Sequence, residues 1–245
     1  MQRLDKFLSD AGVGSRSEIR QLLRSGAVKV NGRPAADPAD KVDGDRDLVE
    51  LNGQPVERLR RVILLLHKPA GLVTSTEDPR DPTVMELIPE KFRAWGVAPV
   101  GRLDKQTEGL LLLTNDGTLA HRIISPKYDV EKVYYARHEG TADDGDIAAF
   151  RGGLVLKDGT VCKSATLEPL GPGESRITVT EGKYHQVRRM MAARDHTVTY
   201  LRREREGALT IDGLAVGEYR ELSKEETAAL MDCVQYEQKP NLTKI

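Results

Sequence analysis

Asp104 is the residue of this chain best placed to do chemistry. It lies in the segment VGRLDKQTEGLLLLTNDG, residues 100–117, between Arg102 and Lys105. Neighbouring cations keep a carboxylate ionised, and an ionised carboxylate can attack an electrophilic carbon or accept a proton. From spacing alone Asp104 could equally be a cap or a surface ion-pair partner. In a partly buried site it needs an opposite charge to stay ionised, and Arg188 is the candidate. Tyr134, in the run Glu131-Lys132-Val133-Tyr134, offers a planar ring and a hydroxyl. By composition it reads as a core strand aromatic beside Val130, Val133 and Tyr135. The five histidines (67, 121, 138, 185 and 196) show no metal-ligand spacing, and Cys162 and Cys233 form no CxxC pair. No metal, disulfide framework or cofactor is expected, and a reducing cytosol is the default.

The elements that must hold these residues follow from the hydrophobic pattern. Leu110 to Leu113 is a short apolar run between Gly109 and the turn Asn115-Asp116-Gly117, so Asp104 sits in the loop before a buried strand. Val62 to Leu66 is a second such run, ending in the turn Lys68-Pro69-Ala70-Gly71. Ile177 and Val179 alternate as a strand. Val187, Met190, Met191 and Arg194 have helical spacing, which puts Arg188 near a helix start. Short segments at 62–67, 110–114, 133–138, 175–180 and 208–211 suit a mixed sheet.

The N-terminal part is organised differently. Leu4, Phe7, Leu8 and Ala11 form the stripe of a short helix, ended by Gly12 and Gly14. Ser15 and Glu18 are a capping box for a second helix whose apolar face is Ile19, Leu22 and Leu23. Arg16, Arg20 and Arg24 recur every four residues and share one basic face. Val28 and Val30 then lead into the tight turn Asn31-Gly32. The net charge of −1 conceals this asymmetry. A second basic concentration runs through Lys183, Arg188, Arg189, Arg194, Arg202, Arg203 and Arg205. Two basic surfaces on a neutral chain suit a polyanion held at two places, although any one cluster taken alone reads as a solvated face. No run approaches the roughly twenty apolar residues of a membrane span, and Met1 to Phe7 is charged where a signal peptide is apolar.

The stretch RLDKFLSDAGVGSRSEIRQLLRSGAVKVNGR, residues 3–33, resembles the S4 RNA-binding domain. That resemblance implies RNA contacts for Arg3, Lys6, Arg16, Arg20, Lys29 and Asn31. The RLD triplet around Asp104, the KPAG turn at 68–71 and EGKYHQVRRM at 181–190 together resemble the RsuA/RluB-type pseudouridine synthases, from Arg3 to about Gly217. The resemblance implies that Asp104 is the catalytic carboxylate, that Arg188 pairs with it, and that Tyr134 stacks on the uracil. It leaves Asp104 open as nucleophile or as base at C2′. Arg102 would enter the RNA at the vacated base, and Lys132 would contact a phosphate or support Tyr134. Glu108 stands where many members carry a small residue.

The expected fold is α+β. An S4-like RNA-binding module spans 1–58, a catalytic domain with a mixed, largely antiparallel sheet spans 59–234, and 235–245 form a flexible tail. The expected reaction cleaves the N-glycosidic bond of a uridine, turns the base and rejoins it through C5. The expected partner is ribosomal RNA, with the wording TEGLLLLTNDG favouring 16S rRNA in a pre-ribosomal particle over 23S. The protein is expected to be a cytoplasmic monomer without membrane contact. A non-catalytic S4-type assembly protein is a second reading. A hydrolase, the third, would need Glu108 as a second carboxylate beside Asp104.

Overall fold

The computed structural model describes residues 1–44, 46–56 and 61–236. The described residues divide into two compact units, one within residues 1–61 with Glu90–Val97, the other Val62–Pro89 and residues 98–236. The boundary expected at 58/59 lies outside the described residues, as do residues 237–245 of the expected tail. Gln235 and Tyr236, assigned to that tail, are instead held. The Tyr236 hydroxyl donates to Asp116 Oδ2 at 2.8 Å, and Arg122 lies over the Tyr236 ring.

In the first unit Leu4, Phe7 and Leu8 of helix α1 (Leu4–Asp10) cluster with Ile19 and Leu23 of α2 (Arg16–Arg24). The Ser15–Glu18 capping box starts α2, and Arg16, Arg20 and Arg24 are all exposed. Strand β1 (Val28–Val30) turns through Asn31 and Gly32, both at positive φ, into β2 (Arg33–Pro34). On its other edge β1 pairs with β3 (Val49–Leu51), which pairs with β4 (Gln54–Pro55).

The second unit is built on one sheet. Its strands are β5 (Ile63–Lys68), β6 (Glu108–Thr114), β7 (Lys132–His138), β8 (Thr166–Gly171), β9 (Glu174–Val179), β10 (Val198–Glu206) and β11 (Tyr219–Glu221). The order is β8-β9-β7-β10-β6-β5-β11, with Ala98–Pro99 added on β6 and Leu209–Thr210 on β10. Every pairing is antiparallel except β10 with β6, where Arg202 and Arg203 run parallel to Glu108 and Gly109. Gly109, at φ 109°, is required at that crossing, because a Cβ there would lie 2.2 Å from the Arg203 carbonyl oxygen. Ile63, Leu65, Leu110 and Leu112 pack against helices α3 (Gly117–Ile124) and α6 (Lys224–Cys233). A separate cluster joins Ala136 and Ile177 to helices α4 (Asp144–Gly152) and α5 (Gln186–Ala192). The α+β class and the largely antiparallel sheet are as the sequence leads one to expect.

The second basic concentration is not the surface expected of it. Arg203 is 3% exposed. Arg202 pairs with Glu204, Arg205 with Glu131, Arg189 with Asp158, Lys183 with Glu181 and Arg194 with Asp146. These cations are largely neutralised inside the unit, each by a carboxylate within ion-pair distance on a strand, loop or helix of the same unit.

Asp146 anchors a buried polar cluster. It closes the capping box of α4 with Asp143, accepts from Arg194 Nε at 2.7 Å, and faces His196 Nε2 at 2.8 Å. Burial pushes its carboxyl up, but these bonds outweigh burial and hold it at about 2. Burial likewise lowers His196, and its bonds to Asp146 and the Glu139 carbonyl reverse the shift, so its pKa is raised. The stability from Asp146 is therefore present above its unfolded value near 4 and lost as pH falls towards 2. That from His196 is present below 6.5 and lost as pH rises through its raised folded value. Wild type should thus lose about 2 kcal/mol between pH 4 and pH 2 that Asp146→Asn does not lose. Urea midpoints measured across pH for both proteins check this, and parallel acid limbs would remove the assignment.

Candidate active site

Asp104 sits in the loop that leads into β6, and four backbone carbonyls fix that loop around one side chain. Lys68, the last residue of β5, is 0% exposed. Its Nζ donates to the carbonyl oxygens of Pro69 at 2.9 Å, Asp104 at 3.3 Å, Lys105 at 3.2 Å and Thr107 at 2.9 Å. Burial pulls the Lys68 ammonium down to about 8, against the opposing pull of Asp104 and Glu108. Thr74 adds a second clasp, donating to the Leu103 carbonyl at 2.8 Å and accepting from the Leu103 N–H at 3.2 Å. Gly71 N–H donates to the Lys105 carbonyl at 2.8 Å, and Lys105 Nζ reaches Asp81 at 2.7 Å. The KPAG turn thus works as a buried brace for the loop that presents Asp104.

Asp104, Arg102 and Tyr134 line one narrow cleft together with Thr107, Glu181, Lys183, His185 and Gln186. The cleft has a volume of about 60 Å³, and Arg102 lies exposed at its rim. Tyr134 reaches it from β7. Burial raises the Tyr134 phenol, a rise that its hydrogen bond to Arg203 and the Arg203 charge only partly offset. Arg203 in turn donates to the Leu110 carbonyl at 2.8 Å and faces the buried Glu206 carboxylate at 3.2 Å. Tyr134 is therefore set by a buried charged network that ties β7, β10 and β6 together.

The remaining candidate residues divide clearly. Arg188 is not an ion-pair partner of Asp104, which corrects the expected pairing: its Nη1 donates to the Val198 carbonyl at 2.9 Å, bracing α5 against β10. The group beside Asp104 is His185, whose Nε2 lies 3.4 Å from Asp104 Oδ1. His185 precedes α5 in a left-handed conformation, φ 47°, and that backbone turns its ring towards Asp104 while Arg188, one turn on, points elsewhere. Lys132 is 6% exposed and donates to the Val130 carbonyl at 2.8 Å, with Glu206 nearby. It supports the Tyr134 network and is not a phosphate contact. Glu108 accepts the Tyr200 hydroxyl at 2.7 Å, so it is committed to β10.

In the first unit Arg16, Arg20 and Lys29 are exposed. Arg3 pairs with Asp5 at 2.8 Å and Lys6 with Asp10 at 3.0 Å, both exposed pairs that RNA phosphates could displace. Asn31 uses both ends of its amide locally, donating to Asp47 and accepting from the Leu48 N–H, each at 2.9 Å. It pins the hairpin. Among the described residues no three His, Cys, Asp or Glu side chains gather as a metal site, and no helix is long and apolar enough to cross a membrane.

Sequence reasoning gave no role to Lys68, His185 or Glu206, and read Arg203 as part of a basic surface. Lys68 and His185 lie in recognised motifs, so their positions were visible. Arg203 and Glu206 carried one signal: charged residues interleaved with Leu201 on a strand, where a buried charge requires a partner.

Residues 62–193 match the family described as RNA pseudouridylate synthase, and residues 2–49 match the S4 domain. The chain belongs to the RNA pseudouridylate synthase family. Among similar synthases, an uncharacterized RNA pseudouridine synthase, YtzG, of Bacillus subtilis is 43% identical over 91% of this chain and 96% of its own. Ribosomal small subunit pseudouridine synthase A of Escherichia coli is 39% identical over 94% of this chain and 100% of its own. Ribosomal large subunit pseudouridine synthase B of Bacillus subtilis is 37% identical over 94% and 96%. A crystal structure of a pseudouridylate synthase superposes with a TM-score of 0.67 at 32% identity, covering 94% of this chain and 100% of that one. The RsuA/RluB-type assignment of this synthase, with its S4 domain, therefore stands.

Proposed function

We propose that this synthase isomerises one uridine of small-subunit (16S) ribosomal RNA, using Asp104 at the ribose and Tyr134 beneath the uracil. The observation that carries the chemistry is the Lys68 brace. A fully buried ammonium spent on three carbonyls of one loop, with a fourth from its own turn, makes sense if that loop must hold a reacting group in a fixed place. A non-catalytic RNA-binding protein has no use for such a brace in its second unit. Uridine in a stacked helix hides its sugar edge, so the base must flip before Asp104 can reach C1′ or C2′. Arg102, exposed at the rim of the cleft, is placed to enter the RNA at the vacated position. Arg16, Arg20 and Lys29 of the first unit supply phosphate contacts.

The ribosomal substrate rests on relatives whose names carry it, and the small subunit on the wording TEGLLLLTNDG of residues 107–117. The large-subunit relative, at 37% identity, supports the same chemistry on 23S rRNA as the second reading. The synthase is taken to act as a cytoplasmic monomer on a pre-ribosomal particle. Pseudouridine mapping in rRNA from cells with and without the gene decides. One site missing from 16S rRNA is the expected result, a site missing from 23S moves the substrate, and an unchanged map in both overturns the ribosomal reading.

A further inference from the structure

We propose that Tyr184 is the seat of a second, unpaired nucleotide next to the isomerised uridine; the proposal rests on the RNA-modifying reading above. Tyr184 is 75% exposed, so its ring is free to meet a partner. It is not loose. Its ring stacks on His185 at a centroid distance of 3.8 Å and 17° between planes, and His185 is the residue that touches Asp104. One face of Tyr184 is therefore fixed by a ring that belongs to the cleft, and the other face is open.

The open side borders a separate concavity of about 370 Å³, lined by Leu156, Lys157, Asp158, Tyr184, Arg189, Ala192 and Ala193. Its composition is what a nucleotide needs. Leu156, Ala192 and Ala193 give an apolar floor, Tyr184 a stacking wall and Lys157 a cation for a phosphate, while Arg189 is paired with Asp158 at the same rim. Arg189 is held in place by Asp158 at 2.5 Å, by Thr160, and by its own bond to the Tyr184 carbonyl at 3.2 Å. Aromatic side chains serve single-stranded RNA in this way because every base has a π-face. The Tyr184–His185 stack thus divides two adjoining hollows, one containing Asp104 and one open to the neighbouring nucleotide. A base seated there would hold the flanking strand while the uridine lies in the cleft.

The test uses the full-length protein, a small-subunit rRNA transcript, and versions of it lacking one base at each position flanking the target uridine. Tyr184→Ala should raise the Kd for the intact transcript about tenfold, within the range of one aromatic–base stack, and Tyr184→Phe should leave it within twofold. Tritium release at saturating RNA should stay within threefold of wild type for both. One abasic position should cost wild type the same tenfold and cost Tyr184→Ala nothing more. An unchanged Kd for Tyr184→Ala overturns the proposal, as does an abasic scan that costs wild type and Tyr184→Ala equally at every position. If wild type binds the transcript but releases no tritium, the isomerase reading on that RNA fails, whatever the affinity arm gives.

Discussion

Asp104→Asn should abolish turnover while leaving RNA affinity within about threefold of wild type. The substitution keeps size and shape and removes only the ionised oxygen that the reaction needs. The structure gives a reason to expect an undisturbed loop. The loop is held through main-chain oxygens, with the Asp104 carbonyl accepting from Lys68 Nζ at 3.3 Å and from the Thr107 N–H at 2.9 Å. The carboxylate itself contributes only the 3.4 Å approach of His185. Loss of a group acting directly on the reacting atoms costs on the order of 10²–10⁴ in rate at the least. Tritium release from C5-labelled RNA under single-turnover conditions reads this directly. Residual isomerisation within tenfold of wild type would remove Asp104 from the mechanism.

Lys68→Met should cost about 100-fold in the single-turnover rate although Lys68 touches no RNA. The apolar stem is nearly conserved, but the Pro69 and Thr107 carbonyls lose their donor, each at a cost of about 1–3 kcal/mol unless the loop moves to find water, and the Asp104 and Lys105 carbonyls are left with the N–H groups of Thr107 and Gly71. Movement of about 1 Å at Asp104 is enough for a loss of that size. A pH profile separates this positioning role from general damage. With its pKa lowered to about 8, Lys68 is charged below that pH and loses a proton as pH rises through it. Wild type should therefore show a decline in rate above about pH 8. Lys68→Met should be slow at every pH and lack that decline. A fast variant would show that the brace is dispensable, and a slow one with the decline intact would assign the titration to another group.

How much of this was legible beforehand depended on whether a residue's job is local. The capping box at Ser15–Glu18 and the hairpin at Asn31–Gly32 follow from side chains a few positions apart, and both are present. The strands at 63–68, 108–114 and 132–138 follow from apolar runs or alternation and fall within two residues of expectation. Strand β10 was missed because its Arg and Glu residues imitate an exposed surface, and only pairing with β7 and β6 makes it central. The expected Arg188–Asp104 pair failed for a related reason. Sequence order places both residues near the cleft, but the left-handed turn at His185 decides which side chain of α5 arrives. Lys68 could be placed on its turn, yet its four acceptors come from residues as far on as Thr107. No pattern of local spacing encodes that closure.

The one parallel seam of the sheet bears on how the molecule is made. On one side of it, β5 and β6 pack over one apolar cluster with α3 and α6, joined by Leu209 from the short strand beside β10. On the other, β7 to β10 close over a second cluster with α4 and α5. The seam joins residues about a hundred positions apart, so its loop-closure entropy is met late, after the more local contacts have formed. Lys68 and the Asp104 loop belong to one half, and Tyr134, His185 and Arg203 to the other. Neither half by itself therefore carries the whole centre. The cleft is whole only where the Arg203 backbone lies against Gly109, so a side chain at residue 109 would part the two halves of the working centre as well as the two strands.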